Sequence, residues 1–346
     1  MSLLVTSTLN RNEFDALVVG AGVAGCATAL ELLSTGWRVG ILHRHDNVSG
    51  MESLPPEVAS SLGALSIRVG SEFSEVVAWW GSERESRAIQ PGGRIVERSA
   101  LAGALRFRAI QRGATVIESV GHFSSERIHE GWGLEFELTR SGDRRLTARY
   151  LVDATGRASV IGRRLGSVRM NLDDLFCVSA SVLEPDLVGT WTESTPDGWW
   201  NLCCTRERGT LSFFSAAKTI REAREDITVG FYGTRNIRHL LPAPRLGESE
   251  VRPCGSSRML SCAGPGWISV GDAASTLQPL ASAGVSKAFR DARMARRALE
   301  ARPVAYDRLQ TAEFRSYLRQ LRQQYALESR WLGSPFWGPT SSAMCA

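Results

Sequence analysis

An apolar run, DALVV (Asp15 to Val19), meets the glycine cluster GAGVAG (Gly20 to Gly25) and continues into CATALELLSTG. The small and aliphatic residues of that last stretch suit a helix packed on a sheet. Gly36 ends the helix and WRVGIL supplies a second strand, so the region reads as a βαβ unit. The segment from Gly50 to Gly93, with Pro55-Pro56 and scattered Gly and Ser, reads as irregular. Arg94 to Val96 and the stretch ERSALAGALRFRAIQRGATVI then read as strand, helix, turn at Gly113 and strand. Leu134 to Leu138 and Leu146 to Val152 pair as strands that end at DATGRAS.

Beyond Gly166 the pattern changes to alternating strands, LFCVSASVL, GWWNLCC and TLSFFSAA, which predict an antiparallel sheet. GWISVGDAASTLQPLASAGVSKA (Gly266 to Ala288) returns to strand and helix. Tyr306 to Leu332 reads as one long amphipathic helix, apolar at 306, 309, 314, 317, 318, 321 and 325. An antiparallel module is therefore inserted into a discontinuous dinucleotide-type domain.

Composition narrows the class without naming it. The 346 residues are 43% hydrophobic and 22% charged, ordinary for a globular protein. No apolar run approaches the ~20 residues of a membrane helix. The lead-in MSLLVTSTLNRNEFD lacks a signal-peptide pattern, so the expected compartment is the cytoplasm. Cys26, Cys177, Cys203, Cys204, Cys254, Cys262 and Cys345 form no CxxC pair, and the five histidines show no ligand spacing. Reduced thiols and no metal are expected. Lysine occurs only at 218 and 287; the arginine bias reflects either base composition or a basic surface for an acidic partner. No basic run with interleaved aromatics points to nucleic acid.

GAGVAG lies between a strand and a helix, where Gly20, Gly22 and Gly25 would allow a tight turn and close approach to a pyrophosphate. The acid that usually ends the second strand and binds ribose is replaced by His43, followed by Arg44; a histidine can also hydrogen-bond a hydroxyl, and Asp46 is an alternative. One fingerprint does not separate NAD from FAD.

Together with GAGVAG, the stretches YLVDATGRAS and GWISVGDAAS resemble the three signatures of the FAD-dependent monooxygenase and halogenase superfamily. The resemblance spans almost the whole chain. It implies an α/β fold: a Rossmann-like, glutathione-reductase-like FAD-binding domain (1–60, 93–165 and 255–300), an inserted antiparallel-sheet substrate domain (61–92 and 166–254), and a C-terminal helix and tail (301–346). It implies FAD contacts from Asp153, Gly156 and Gly271, and assigns Asp272 to the ribityl chain. Pro279 and Gly284 match the loop and helix start beside the flavin ring, a catalytic position, and Arg98 matches an arginine near the cofactor. Self-sufficient members carry Asp-Gly in the middle signature, where this chain has Thr155-Gly156. The expected electron source is therefore transient NAD(P)H or a separate flavin reductase.

MESLPPEV (Met51 to Val58), DGWWNLCC (Asp197 to Cys204) and YALESRWLGSPFW (Tyr325 to Trp337) further resemble flavoproteins that hydroxylate a tryptophan within a partner protein during quinone-cofactor formation. That resemblance implies a protein or peptide substrate and makes Glu52 a candidate polar catalytic group. Trp199 and Trp200 are candidate substrate contacts, or both are core. On a strand only one of them can face a cavity.

The resemblance implies a flavin hydroperoxide that an electron-rich indole attacks directly, with no protein nucleophile. Halogenases instead carry hypohalous acid past an essential lysine that follows the segment matching MESLPPEV, and here no lysine precedes Lys218. The WxWxIP pattern is absent and Thr276 replaces a halogenase phenylalanine. Halogenation of an indole or phenol is the alternative reading, followed by a small-molecule dehydrogenase or reductase and a partner-binding flavoprotein without turnover.

Overall fold

A computed structural model describes residues 12–44, 49–138, 142–300 and 303–338. β1 (Glu13–Val19), α1 (Val23–Leu33) and β2 (Val39–His43) form the opening unit. β1 is buried on both faces: Ala16 and Val18 enter one core cluster, Leu17 and Val19 the other. That explains its unbroken apolar run, since a covered parallel strand needs no polar alternation.

The next segment is regular. β3 (Met51–Leu54), α2 (Pro56–Ala64), β4 (Ser71–Trp79) and β5 (Ser86–Glu97) replace the expected irregular stretch. Pro56 lies at the start of α2, where a missing N–H is no loss, so the Pro-Pro pair begins a helix. α3 (Arg98–Gln111) follows, then the long strands β6 (Thr115–Ile128), β7 (Gly131–Leu138) and β8 (Gly142–Asp153). β7 and β8 do pair, but Leu134 to Leu138 lies opposite residues 142 to 146, so only Leu146 of the expected partner strand faces it, and most of the rest runs beside β1.

After α4 (Val160–Arg164) and β9 (Arg169–Asn171), four strands follow closely: β10 (Leu175–Leu183), β11 (Gly189–Thr195), β12 (Gly198–Cys204) and β13 (Arg208–Ala216). The short helices α5 (Ala217–Ala223), α6 (Ile227–Tyr232) and α7 (Ile237–Leu240) lead to β14 (Arg245–Pro253). β15 (Ser257–Met259), β16 (Ala263–Gly264), β17 (Trp267–Ser269), β18 (Ser275–Thr276), α8 (Gly284–Glu300) and α9 (Pro303–Ala326) complete the described chain.

The parallel core runs β6–β2–β1–β8–β17, and the far halves of β6 and β8 leave it to pair with β7 as an antiparallel meander. The second sheet has the order β14-β10-β13-β12-β11-β4-β5-β3. All its pairings are antiparallel except β11 with β4. β3, from the first 60 residues, belongs to this second sheet. α5 to α7 cover one of its faces through Ile220, Ile227, Phe231 and Ile237. α9 packs against the other with Phe314, Tyr317, Leu321 and Tyr325.

α9 ends at Ala326, short of the expected Leu332. Glu328 instead accepts hydrogen bonds from the backbone of Gly81 at 2.8 Å and from Arg330, and fixes a turn. The apolar face also loses one predicted member, because Leu309 is exposed.

Candidate active site

Segments distant in sequence line one cleft of about 530 Å³. The three fingerprint glycines have different jobs there. Gly20 has φ +113°, and a Cβ on it would lie 2.2 Å from the carbonyl oxygen of Ala154; a Cβ on Gly25 would lie 2.0 Å from that of Gly20. These two permit close packing of strand, turn and helix and do not line the cleft. Gly22 does line it, with no atom near the place of its missing Cβ. It opens α1 without a side-chain cap, and the first turn contains no acid, a setting that favours an anion.

The late signature closes against this start. A Cβ on Gly271 would meet the Cβ of Ala24 at 2.5 Å, so the turn after β17 rests directly on α1. Lys287 Nζ donates to the Gly271 carbonyl at 2.8 Å, and Asp291 accepts from its N–H at 2.9 Å. Arg169 donates to the carbonyl oxygens of Asp272 and Ala273, at 2.7 and 3.1 Å. Held in this way, Asp272 stands exposed on the cleft wall beside Pro279 and Gly284, the first residue of α8.

Glu52 and Arg98 form an ion pair on the same cleft, with Arg98 Nε donating to the carboxylate at 2.7 Å. The carboxylate holds the guanidinium above the ordinary arginine value. Across β12, Trp199 and Trp200 diverge as alternation requires. Trp199 lines the cleft and stacks on Phe214 with ring centroids 3.8 Å apart. Trp200 stacks on Phe213 and meets Phe231 edge-on in the core behind the sheet. Trp199 Nε1 donates to the Tyr325 hydroxyl at 3.2 Å, which donates to Gln278 Oε1 at 2.9 Å.

Besides Gly20 and Gly25, three more expected cofactor residues lie away from the cleft. Asp153 is wholly buried and accepts from the backbone and hydroxyl of Thr155 and from the N–H of Gly162, so it braces the turn after β8 and does not reach the cleft. Its burial pushes the carboxyl up against those bonds. His43 pairs its Nε2 with Arg106 at 3.1 Å, and neither it nor the exposed Arg44 lines the cleft. Asp46 and Cys345 lie outside the described residues. Thr276, set where a halogenase has phenylalanine, is buried behind the wall and donates to the Gly255 carbonyl at 3.0 Å.

Sequence reasoning missed Gln278, Arg157, Arg252, Cys177 and Cys254 on the cleft, and Tyr325 behind Trp199. Gln278 directly precedes Pro279, so adjacency to the late signature was its only sequence signal. Burial pushes the Cys177 thiol up, yet hydrogen bonds from Cys254 and Ser179 and the charge of Arg252 outweigh it and hold the thiol below its ordinary value.

The residues present fit FAD. The bare Gly22 and the uncapped α1 terminus suit a pyrophosphate, Asp272 offers a carboxylate to a polyol, and Arg98, Arg157 and Arg252 supply cations. The amide nitrogen of Gln278 is a buried donor with no partner among the described residues.

No protein-family model matches the chain. Among curated proteins it is similar to the putative FAD-dependent oxidoreductase LodB of Marinomonas mediterranea, 27% identical over 359 residues that cover 94% of this chain and 96% of that one. Among solved structures it superposes on QhpG, a peptidyl tryptophan dihydroxylase essential for tryptophylquinone cofactor biogenesis, with TM-score 0.74 and 23% identity, covering 94% of this chain and 78% of that one. It also superposes on the flavin-dependent halogenase CmlS with TM-score 0.78 and 20% identity, covering 95% and 67%. Hydroxylases and halogenases of this group share one fold, and the chain has it.

Proposed function

We propose that this chain, an FAD-dependent oxidoreductase built on the monooxygenase and halogenase fold, hydroxylates an aromatic ring: the indole of a tryptophan carried by a partner polypeptide, during quinone-cofactor maturation. The observation that carries this reading is the aromatic wall, Trp199 stacked on Phe214, which shares one cleft with Asp272, Pro279 and Gly284. Both rings are buried, Trp199 to 1% exposure, so the pair forms a packed aromatic backing against whose edge an indole can lie with its reacting carbon toward the cofactor wall. Similarity to QhpG supports the choice of indole, and similarity to LodB supports the flavin chemistry.

Bound and reduced, FAD supplies the activated oxygen. The chain's own residues position and enclose. Gly22 and the α1 terminus would seat the diphosphate, and Asp272 would take the ribityl hydroxyls. Pro279 and Gly284 form the wall beside the ring. Arg98 holds the Glu52 carboxylate in place, where it can accept the proton released when the hydroxylated ring regains aromaticity. Halide chemistry lacks its lysine: Lys287 is committed to Gly271 and Asp291, and Lys218 is exposed away from the cleft. The sequence carries no second nucleotide fingerprint, which supports reduction by transient NAD(P)H or by a separate flavin reductase.

The test is mass spectrometry of a candidate tryptophan-bearing polypeptide after incubation with enzyme, FAD, a reductant, labelled dioxygen and bromide. Labelled oxygen on one tryptophan is the expected result. Bromine on the ring, or reductant consumption with no change in the polypeptide, overturns the reading.

A further inference from the structure

The buried hydrogen-bond chain from Trp199 has a direction. An indole N–H can only donate, so the Tyr325 oxygen accepts and its proton must go onward. Burial pushes the Tyr325 hydroxyl up, so it keeps that proton. Gln278 must therefore turn its Oε1 toward Tyr325, which fixes the amide against a flip. Its backbone N–H is held separately, donating to the Tyr317 oxygen at 2.8 Å.

One group is left over. Gln278 Nε2 has two protons, lies on a residue 2% exposed, and finds no acceptor among the described residues, yet the residue lines the cleft. Buried amide donors are normally satisfied, and the cleft is where an acceptor can come from.

We propose that Gln278 Nε2 is a ligand-recognition donor for a neutral carbonyl oxygen, aimed by the Trp199–Tyr325 relay. The oxygen belongs either to the flavin ring or to the amide of the tryptophan substrate. The second source rests on the function proposed above; the first does not. Trp199 thereby has two jobs: its face packs on Phe214, and its N–H sets the polarity of a donor two hydrogen bonds away.

The experiment compares Gln278→Leu and Gln278→Glu with the unaltered protein, with folding checked by circular dichroism. The probes are FAD, N-acetyltryptophanamide, and 3-methylindole, which has the ring and no carbonyl. Gln278→Glu keeps an acceptor for Tyr325 and places an oxygen where the donor stood. If the flavin supplies the carbonyl, FAD binding weakens roughly tenfold in both variants and the visible band of the bound flavin shifts. If the substrate supplies it, FAD binding is unchanged and N-acetyltryptophanamide weakens by a similar factor while 3-methylindole does not. In either case Gln278→Glu recovers affinity as falling pH protonates the new carboxyl and restores a donor, a response that a packing role would not give. Unchanged affinity for all three probes in folded variants overturns the proposal. The flavin source would stand even if no oxygen were found on a polypeptide, because the FAD titration needs no turnover.

Discussion

Lys287 and Asp291 lie one turn apart on α8 with Nζ and Oδ2 2.5 Å apart, and together they hold both backbone polar groups of Gly271. The pair is almost fully buried, so neither charge has water to fall back on. Breaking such a pair from one side strands the other charge, at a cost of about 3–5 kcal/mol. Lys287→Met and Asp291→Asn are each expected to lower the urea midpoint sharply and to weaken FAD binding, because the Asp272 turn loses its anchor. The double variant Lys287→Met/Asp291→Leu is expected to be more stable than either single one. Single variants as stable as the unaltered protein would show that the clamp does not hold the turn.

Gly22 and Gly25 separate binding from folding. Gly25→Ala puts a methyl 2.0 Å from a backbone oxygen and is expected to give little folded protein. Gly22→Ala brings its methyl within 4 Å of no described residue beyond its chain neighbours and is expected to fold, with FAD affinity reduced at least tenfold by the methyl in the cleft. Equilibrium titration with FAD and thermal melting of the apoprotein check the two halves independently.

The adjacent tryptophans make a similar contrast. Trp200→Ala empties a core site and is expected to cost about 3–5 kcal/mol in denaturant unfolding. Trp199→Phe keeps an aromatic face against Phe214 but loses the N–H to Tyr325. It is expected to spare most of the stability and weaken binding of an indole ligand, measured by titration. Equal effects of the two changes on binding would remove Trp199 from the site.

Glu52→Gln keeps the shape and removes the charge facing Arg98. Turnover is expected to fall by about tenfold or more, the scale of one charge-assisted hydrogen bond, with FAD still bound. Unchanged turnover in single-cycle kinetics would take Glu52 out of the reaction.

Acid stability has a named contributor. Burial pushes the Glu328 carboxyl up, but hydrogen bonds from Arg330, Ser194 and the Gly81 backbone outweigh it and hold the group below the ordinary glutamate value. A depressed carboxylate stabilises the fold above its unfolded pKa, about 4.3, and loses that contribution as pH falls toward the folded value. Unfolding free energy measured from pH 6 downward is expected to drop in the unaltered protein and to drop less steeply in Glu328→Gln.

The parts of this molecule legible in the sequence are those whose cause is local. The strand–GAGVAG–helix punctuation and the alternation that sends Trp199 and Trp200 to opposite faces depend on neighbours in the chain. The Gly50 to Gly93 region reads as irregular because Pro56 signals either a turn or a helix start, and only the packing of Val58 and Leu62 into the core selects the helix. Asp153 sits inside a flavin-type signature, but its own turn takes up both carboxylate oxygens. The Trp199–Tyr325–Gln278 relay joins three segments that no periodicity connects, and Leu309 is exposed despite keeping the helical spacing of its buried neighbours.

The contact of Gly271 with Ala24 also orders events in time. On a ribosome, the opening βαβ unit emerges long before the residues that complete the cleft against it. Until Lys287 and Asp291 have been synthesised, the nascent chain lacks the two groups that hold Gly271 against α1. A chain interrupted anywhere in the second sheet would be left with an open, adhesive α1 face for chaperones and proteases to find.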